Sequence, residues 1–165
     1  MIFDTKVSEV LAFKGSSRVW ALPAHASIQT AVQVMHDNSI GCIVVVDSGC
    51  VVGVISEREC LRQIADEGLV SKRTPLGKLI TQEPCTVTLR TTARECFALM
   101  AASRVRYLPV VENDELVGLV SIGDIVRAFV DDQRFTIEQL LSYVTGSYGP
   151  CNDDQPVVAY RCSIS

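Results

Sequence analysis

The chain has 165 residues, 48% of them apolar but only 6% aromatic, and a net charge of −4 from 15 basic and 19 acidic side chains. No basic run occurs, which argues against a general nucleic-acid or anionic-membrane surface, and no apolar run, Cys42 to Val46 included, is long enough to cross a bilayer. With no secretory pattern in MIFDTKVSEV either, the expectation is a soluble, cytoplasmic protein with a core of Val, Ile, Leu and Ala.

Asp4 or Thr5 is expected to cap a short helix whose Val7, Val10 and Leu11 form an apolar stripe, with Gly15 ending it. Residues 19–22 read as a short strand broken by Pro23 and Ala24. Ser27 then caps a helix that buries Ile28, Ala31, Val32 and Met35. Two apolar strands, 42–47 and 50–56, are separated only by Ser48-Gly49, the mark of a tight hairpin. A helix over 57–67 turns Leu61 and Ile64 inward and closes at Gly68, so the unit is β-α-β-β-α.

A polar linker follows, and Leu76, Leu79 and Ile80 repeat the short apolar helix that precedes the first unit. The second unit is expected to run through a strand over 85–89 and a helix over 92–102 with Ala93, Cys96, Phe97 and Met100 inward. Strands over 106–111 and 116–121 come next, then a helix with Ile122, Ile125, Val126 and Phe129 on one face. Thr136-Ile-Glu-Gln139 resembles a capping box for a C-terminal helix ended by Gly146, and the turn-rich remainder has no period.

The two units match without a gap: Met35 falls on Met100, Val45 on Val110, Gly53 on Gly118, Ser56 on Ser121 and Arg62 on Arg127, a constant step of 65 residues (100 − 35). The chain is an internal duplication. The fold class is α+β, two β-α-β-β-α repeats packed about a pseudo-two-fold, because a unit of roughly 50 residues is marginal alone. The divisions are 5–68, the first repeat with its N-terminal helix; 69–135, the linker helix and second repeat; 136–146, the C-terminal helix; and 147–165, an irregular tail.

Seven cysteines show no C-x-x-C spacing and there are only two histidines, His25 and His36, so the cysteines read as reduced, small hydrophobic residues rather than metal ligands. No nucleophile elbow and no phosphate-cradling glycine loop occurs, so no catalytic function is expected. Ser121-x-x-Asp124 and Ser56-x-x-Glu59 open the last helix of each repeat. That spacing serves as a helix cap, and it also offers a carboxylate with two acceptor oxygens beside a hydroxyl.

The motifs Gly118-Leu-Val-Ser121-Ile-Gly-Asp124, Gly53-Val-Ile-Ser56-Glu-Arg-Glu59 and Val105-Arg106-Tyr107-Leu108-Pro109-Val110-Val111, set in two such units, resemble a tandem CBS-domain pair over about residues 5–146. The resemblance implies a regulatory module, not an enzyme. Its ligand is an adenosine compound such as AMP, ADP, ATP or NAD, held in clefts between the repeats, and its usual assembly is a homodimer of four repeats, with a protein partner as a further outlet. The clefts are crossed in that family. One is expected to join Ser121 and Asp124 with Gly15, Arg18, Trp20, Ile40, Gly41 and Cys42, where Lys14 and Arg18 can meet phosphates. The other joins Ser56 and Glu59 with Cys85, Val105, Arg106, Tyr107 and Pro109, Arg106 being the phosphate-binding candidate. Glu59 is one methylene longer than the family's usual Asp, and Tyr107 stands where close relatives tend to carry His. Both departures favour the alternative reading, a protein-interaction module with vestigial pockets.

Overall fold

The computed structural model describes residues 4–15 and 18–130, and the expected C-terminal helix and tail lie outside them. The elements are α1 (Val7–Phe13), β1 (Ala21–Pro23), α2 (Ile28–Asp37), β2 (Cys42–Asp47), β3 (Cys50–Ser56), α3 (Glu57–Glu67), 3-10 turns at Gly68–Arg73 and Leu76–Lys78, α4 (Ala93–Ser103), β4 (Tyr107–Glu112) and β5 (Glu115–Ser121). Residues 122–130 are helical, α5. The α+β class and the duplication are as expected.

In the first repeat β1 pairs parallel with β2, and β2 antiparallel with β3. Ser48 and Gly49 both take positive φ, 49° and 84°, the geometry that lets a two-residue hairpin follow strand twist. Asn113 and Asp114 repeat it at 49° and 65° between β4 and β5. Each hairpin carries a register shift at the same place, after Val45 and after Val110.

The strand expected over 85–89 is reduced to a single bridge, Val87 to Val110. Two residues explain the loss. In the first repeat Val44 N donates to Trp20 O (3.0 Å), but Pro109 occupies the matching place and has no N–H to give. Ala24 N donates to Val46 O (2.9 Å), whereas its match, Leu89 N, is taken by the Glu112 side chain at 2.7 Å. The ladder is starved at both ends.

The first repeat's core gathers Ile28, Ala31, Met35, Ile43, Val45, Ile55 and Cys60, and the second's gathers Val87, Ala93, Cys96, Met100, Leu108, Val110, Val120 and Ile125. Each core is completed by the other repeat's lead-in. Val7 and Val10 of α1 belong to the second core, and Leu76 to the first. The boundary at residue 68 is therefore crossed twice by packing. Docking also explains why neither Asp4 nor Thr5 caps α1: Lys6 is the N-cap, and the amides of Val7 and Ser8 are satisfied by Thr91 O (2.8 Å) and Leu89 O (3.1 Å).

Several large residues expected inside face out. Leu61 is 58% exposed while Cys60 is buried, Phe97 is 47% exposed beside buried Cys96, and Ile122 and Val126 of α5 are exposed while Ile125 and Ala128 are buried. Small Cys and Ala on the inner faces let the helices sit close to the sheets, and the larger neighbours, about 100° away round the helix, are left on the flank.

Candidate functional site

The turn from β5 into α5 fixes Asp124. Ser121 Oγ accepts from Asp124 N (3.2 Å), and Asp124 Oδ2 accepts from Ser121 N and Ser121 Oγ, each at 2.8 Å. Lys14 Nζ donates to the same oxygen at 2.8 Å and to Leu119 O at 3.1 Å. Lys14 arrives there because Leu11, one turn earlier on α1, lies over Gly118, where an added Cβ would stand 2.6 Å from Leu11 Cδ1. Among the described residues no hydrogen bond reaches Asp124 Oδ1. Burial pushes this carboxyl up, but the bonds from Lys14 and Ser121 outweigh it and hold the pKa below the ordinary value. The result is an ionised acceptor with one oxygen uncommitted among the described residues.

Asp124 and Ser121 line a cleft of about 470 Å³ whose other walls include Lys14, Arg18, Trp20, Asn38, Ile40, Gly41, Cys42 and Tyr107. Both repeats contribute. The Arg18 guanidinium lies 5.3 Å from the centroid of the Trp20 ring, a cation–π distance. Gly41 leaves little room to its neighbour across the cleft: a Cβ there would sit 3.0 Å from the Tyr107 hydroxyl, which would have to shift by a few tenths of an ångström. Burial pushes the Cys42 thiol up to about 12, Lys14 opposing and Asp124 adding to it, and burial likewise raises Tyr107. Both stay protonated at neutral pH, so the wall offers neither a thiolate nor a phenolate.

The family model for the CBS domain matches residues 7–66 and 76–131. The chain belongs to the CBS-domain family. It is 35% identical over 154 residues, 88% of this chain and 74% of the relative, to CBS domain-containing protein CBSX3, mitochondrial, of Arabidopsis thaliana. A CBS-domain containing protein from Agrobacterium tumefaciens superposes with a TM-score of 0.69 at 30% identity, covering 76% of this chain and 94% of that one. A CBS domain protein from Pyrobaculum aerophilum, solved in complex with AMP, gives 0.62 at 28% identity, covering 72% and 88%.

Within this CBS pair the structure brings Arg18, Trp20, Ile40, Gly41, Cys42, Ser121 and Asp124 to one cleft, the grouping that the resemblance implied; Gly15 is not among its lining residues. Tyr107, expected opposite Glu59, lines the Asp124 cleft instead. Sequence reasoning missed Asn38 and Leu119. It also missed the pairing of Lys14 with Asp124, which a separation of 110 positions along the chain hides.

In the other CBS repeat Glu59 is exposed and folded back on its own turn: Oε2 accepts from Ser56 N (2.7 Å) and Ser56 Oγ (2.8 Å), and Ser56 Oγ accepts from Glu59 N (3.3 Å). Arg106 is exposed, its carbonyl accepting from Ile122 N (2.9 Å), and Pro109 is buried, its carbonyl accepting from Val87 N (3.0 Å). Among the described residues no group of three His, Cys, Asp or Glu could hold a metal ion, and no helix is long and apolar enough to cross a membrane.

Proposed function

We propose that the chain is a regulatory CBS pair that binds an adenine nucleotide of the AMP, ADP, ATP or NAD type between its repeats and passes the signal to its own dimer or to a partner. The observation that carries this reading is the ionised Asp124, with Oδ1 unclaimed among the described residues, in the wall of a cleft to which both repeats contribute. Vicinal sugar hydroxyls are donors, and a fixed carboxylate is the acceptor they need. Trp20 and Ile40 offer apolar surface for a base, and Lys14 and Arg18 supply positive charge for phosphate. The cleft volume falls within the roughly 300–1,000 Å³ of small-molecule sites. The AMP complex of the Pyrobaculum relative supports the same ligand class.

The output surface we propose is the exposed apolar edge of α5, where Ile122, Val126 and Val130 recur at intervals of four and so share one side. A homodimer covers it. Sedimentation of the full chain as a monomer at every concentration tested would sink that part of the proposal.

The nucleotide reading is tested by calorimetric titration of AMP, ATP and NAD into the wild type and Asp124→Ala. Binding that weakens about tenfold in the variant, about 1.4 kcal/mol, supports it. Silence with all three ligands, or binding indifferent to Asp124, overturns it.

A further inference from the structure

The two lead-in segments meet the repeats through the same backbone bonds, but the charges carried at the matched positions differ in sign. Ala93 N donates to Thr5 O (2.8 Å), Val7 N to Thr91 O (2.8 Å), and Lys6 bridges Thr92 at the start of α4. The same set recurs at the start of α2: Ile28 N to Thr74 O (3.0 Å), Leu76 N to Ala26 O (2.8 Å), and Pro75 bridging Ser27. Leu11 lies over Gly118, and Ile80 over Gly53, where a Cβ would meet its Cδ1 at 2.9 Å.

The lead-in segments therefore match at a step of 69 residues (75 − 6 and 80 − 11), and the repeats proper at 65 (92 − 27 and 118 − 53). Four residues fewer (69 − 65) join lead-in to repeat in the second half. Counted from the lead-in, the counterpart of Lys14 is Glu83; counted back from the strand, the counterpart of Arg18 is Glu83. Wherever the gap is placed, one cation of the Asp124 cleft is replaced by a carboxylate and the other has no counterpart.

Among these matched positions the Asp124 cleft sets Lys14 and Arg18 against Asp124, an excess of positive charge. The pseudo-equivalent positions carry Glu59, Glu83 and Arg106, the last matching Gly41, an excess of negative charge. A phosphate monoester bears between one and two negative charges at neutral pH, so the local sign decides which cleft it enters. Lys14 adds more than charge. Its ammonium is fixed against the carboxylate, so a sugar hydroxyl that donates to Asp124 can accept from Nζ, and the pair is neutral before an anion arrives.

We propose that each chain takes up one phosphorylated nucleoside, in the Asp124 cleft alone, with Lys14 as the specificity residue and Glu83 turning the anion away from the pseudo-equivalent cleft. This rests on the nucleotide reading above. Calorimetric titration of AMP and of adenosine into the full-length chain tests it, with Lys14→Gln, Lys14→Arg and Glu83→Gln as variants. The expected results are one AMP per wild-type chain and a preference for AMP over adenosine that falls about tenfold in Lys14→Gln but survives in Lys14→Arg and Glu83→Gln. Two AMP per wild-type chain, or a preference that Lys14→Gln leaves intact, overturns the proposal even where Asp124-dependent binding stands. If Lys14→Gln fails to fold, the stoichiometry of the wild type and the preference of Lys14→Arg still decide it. Absence of any binding to the wild type removes the nucleotide reading and this proposal together.

Discussion

At Asp124 burial and hydrogen bonding pull the carboxyl in opposite directions, and the bonds from Lys14 and Ser121 win. A carboxyl whose pKa is lower folded than unfolded adds stability that is whole above its unfolded value, near 3.8, and is lost as pH falls through the lower folded value. Asp124→Asn is therefore expected to cost stability at pH 7 and progressively less as the medium is acidified below about pH 4. The loss at neutral pH should be about 1–2 kcal/mol, since the bonds to a charged acceptor are strong but the Lys14 end is 30% exposed and screened. Urea denaturation of both proteins at pH 7 and near pH 3 checks this; a difference that persists undiminished in acid would mean the carboxylate's charge is not what stabilises the turn. The acidic residue three positions after Ser121 was legible in the sequence. Its partner was not, because the contact depends on where α1 docks.

At the level of elements, helix starts were the most legible feature, since they depend on local hydrogen bonds. Ser27 caps α2 by accepting from Thr30 N (3.1 Å), and Thr92 caps α4 by accepting from Glu95 N (3.3 Å). Ser27→Ala should destabilise the fold by about 1 kcal/mol in chemical denaturation, because one first-turn amide loses its acceptor. A change of less than a few tenths would mean solvent replaces the cap without penalty. Strand 85–89 was read wrongly although the cause was in view: Pro109 and Glu112 remove the partners its ladder needs. The inward faces of α3, α4 and α5 were misjudged for another reason. Periodicity weights every apolar residue alike, whereas close helix-to-sheet packing selects Cys60, Cys96 and Ala128 and leaves Leu61, Phe97 and Val126 outside. The cleft was partly legible, since the crossed arrangement that the resemblance implied places Trp20, Gly41 and Asp124 together; charge inversion at Glu83 emerges only once the backbone bonds fix both steps.

For the molecule as a whole, the exchange of lead-in segments decides how it unfolds. Val7 and Val10, which precede the first repeat, are buried in the second core, and Leu76, which precedes the second, is buried in the first. Neither core can open without releasing a segment that continues directly into the other, so the two are expected to unfold as one cooperative unit. Trp20 is the sole tryptophan and packs against the first core, which makes its fluorescence a reporter of that half. Met100 is buried in the second core, so Met100→Ala should remove about 2–5 kcal/mol there through the cavity it leaves. With urea slopes of about 1–3 kcal/mol/M for domains of this size, the midpoint read from Trp20 should fall by on the order of 1 M or more, in step with far-UV circular dichroism. A Trp20 transition that stays in place while the dichroism splits into two steps would show that the cores unfold independently. In that outcome the exchanged segments would be only surface attachments, and Lys14 could leave Asp124 without disturbing either repeat.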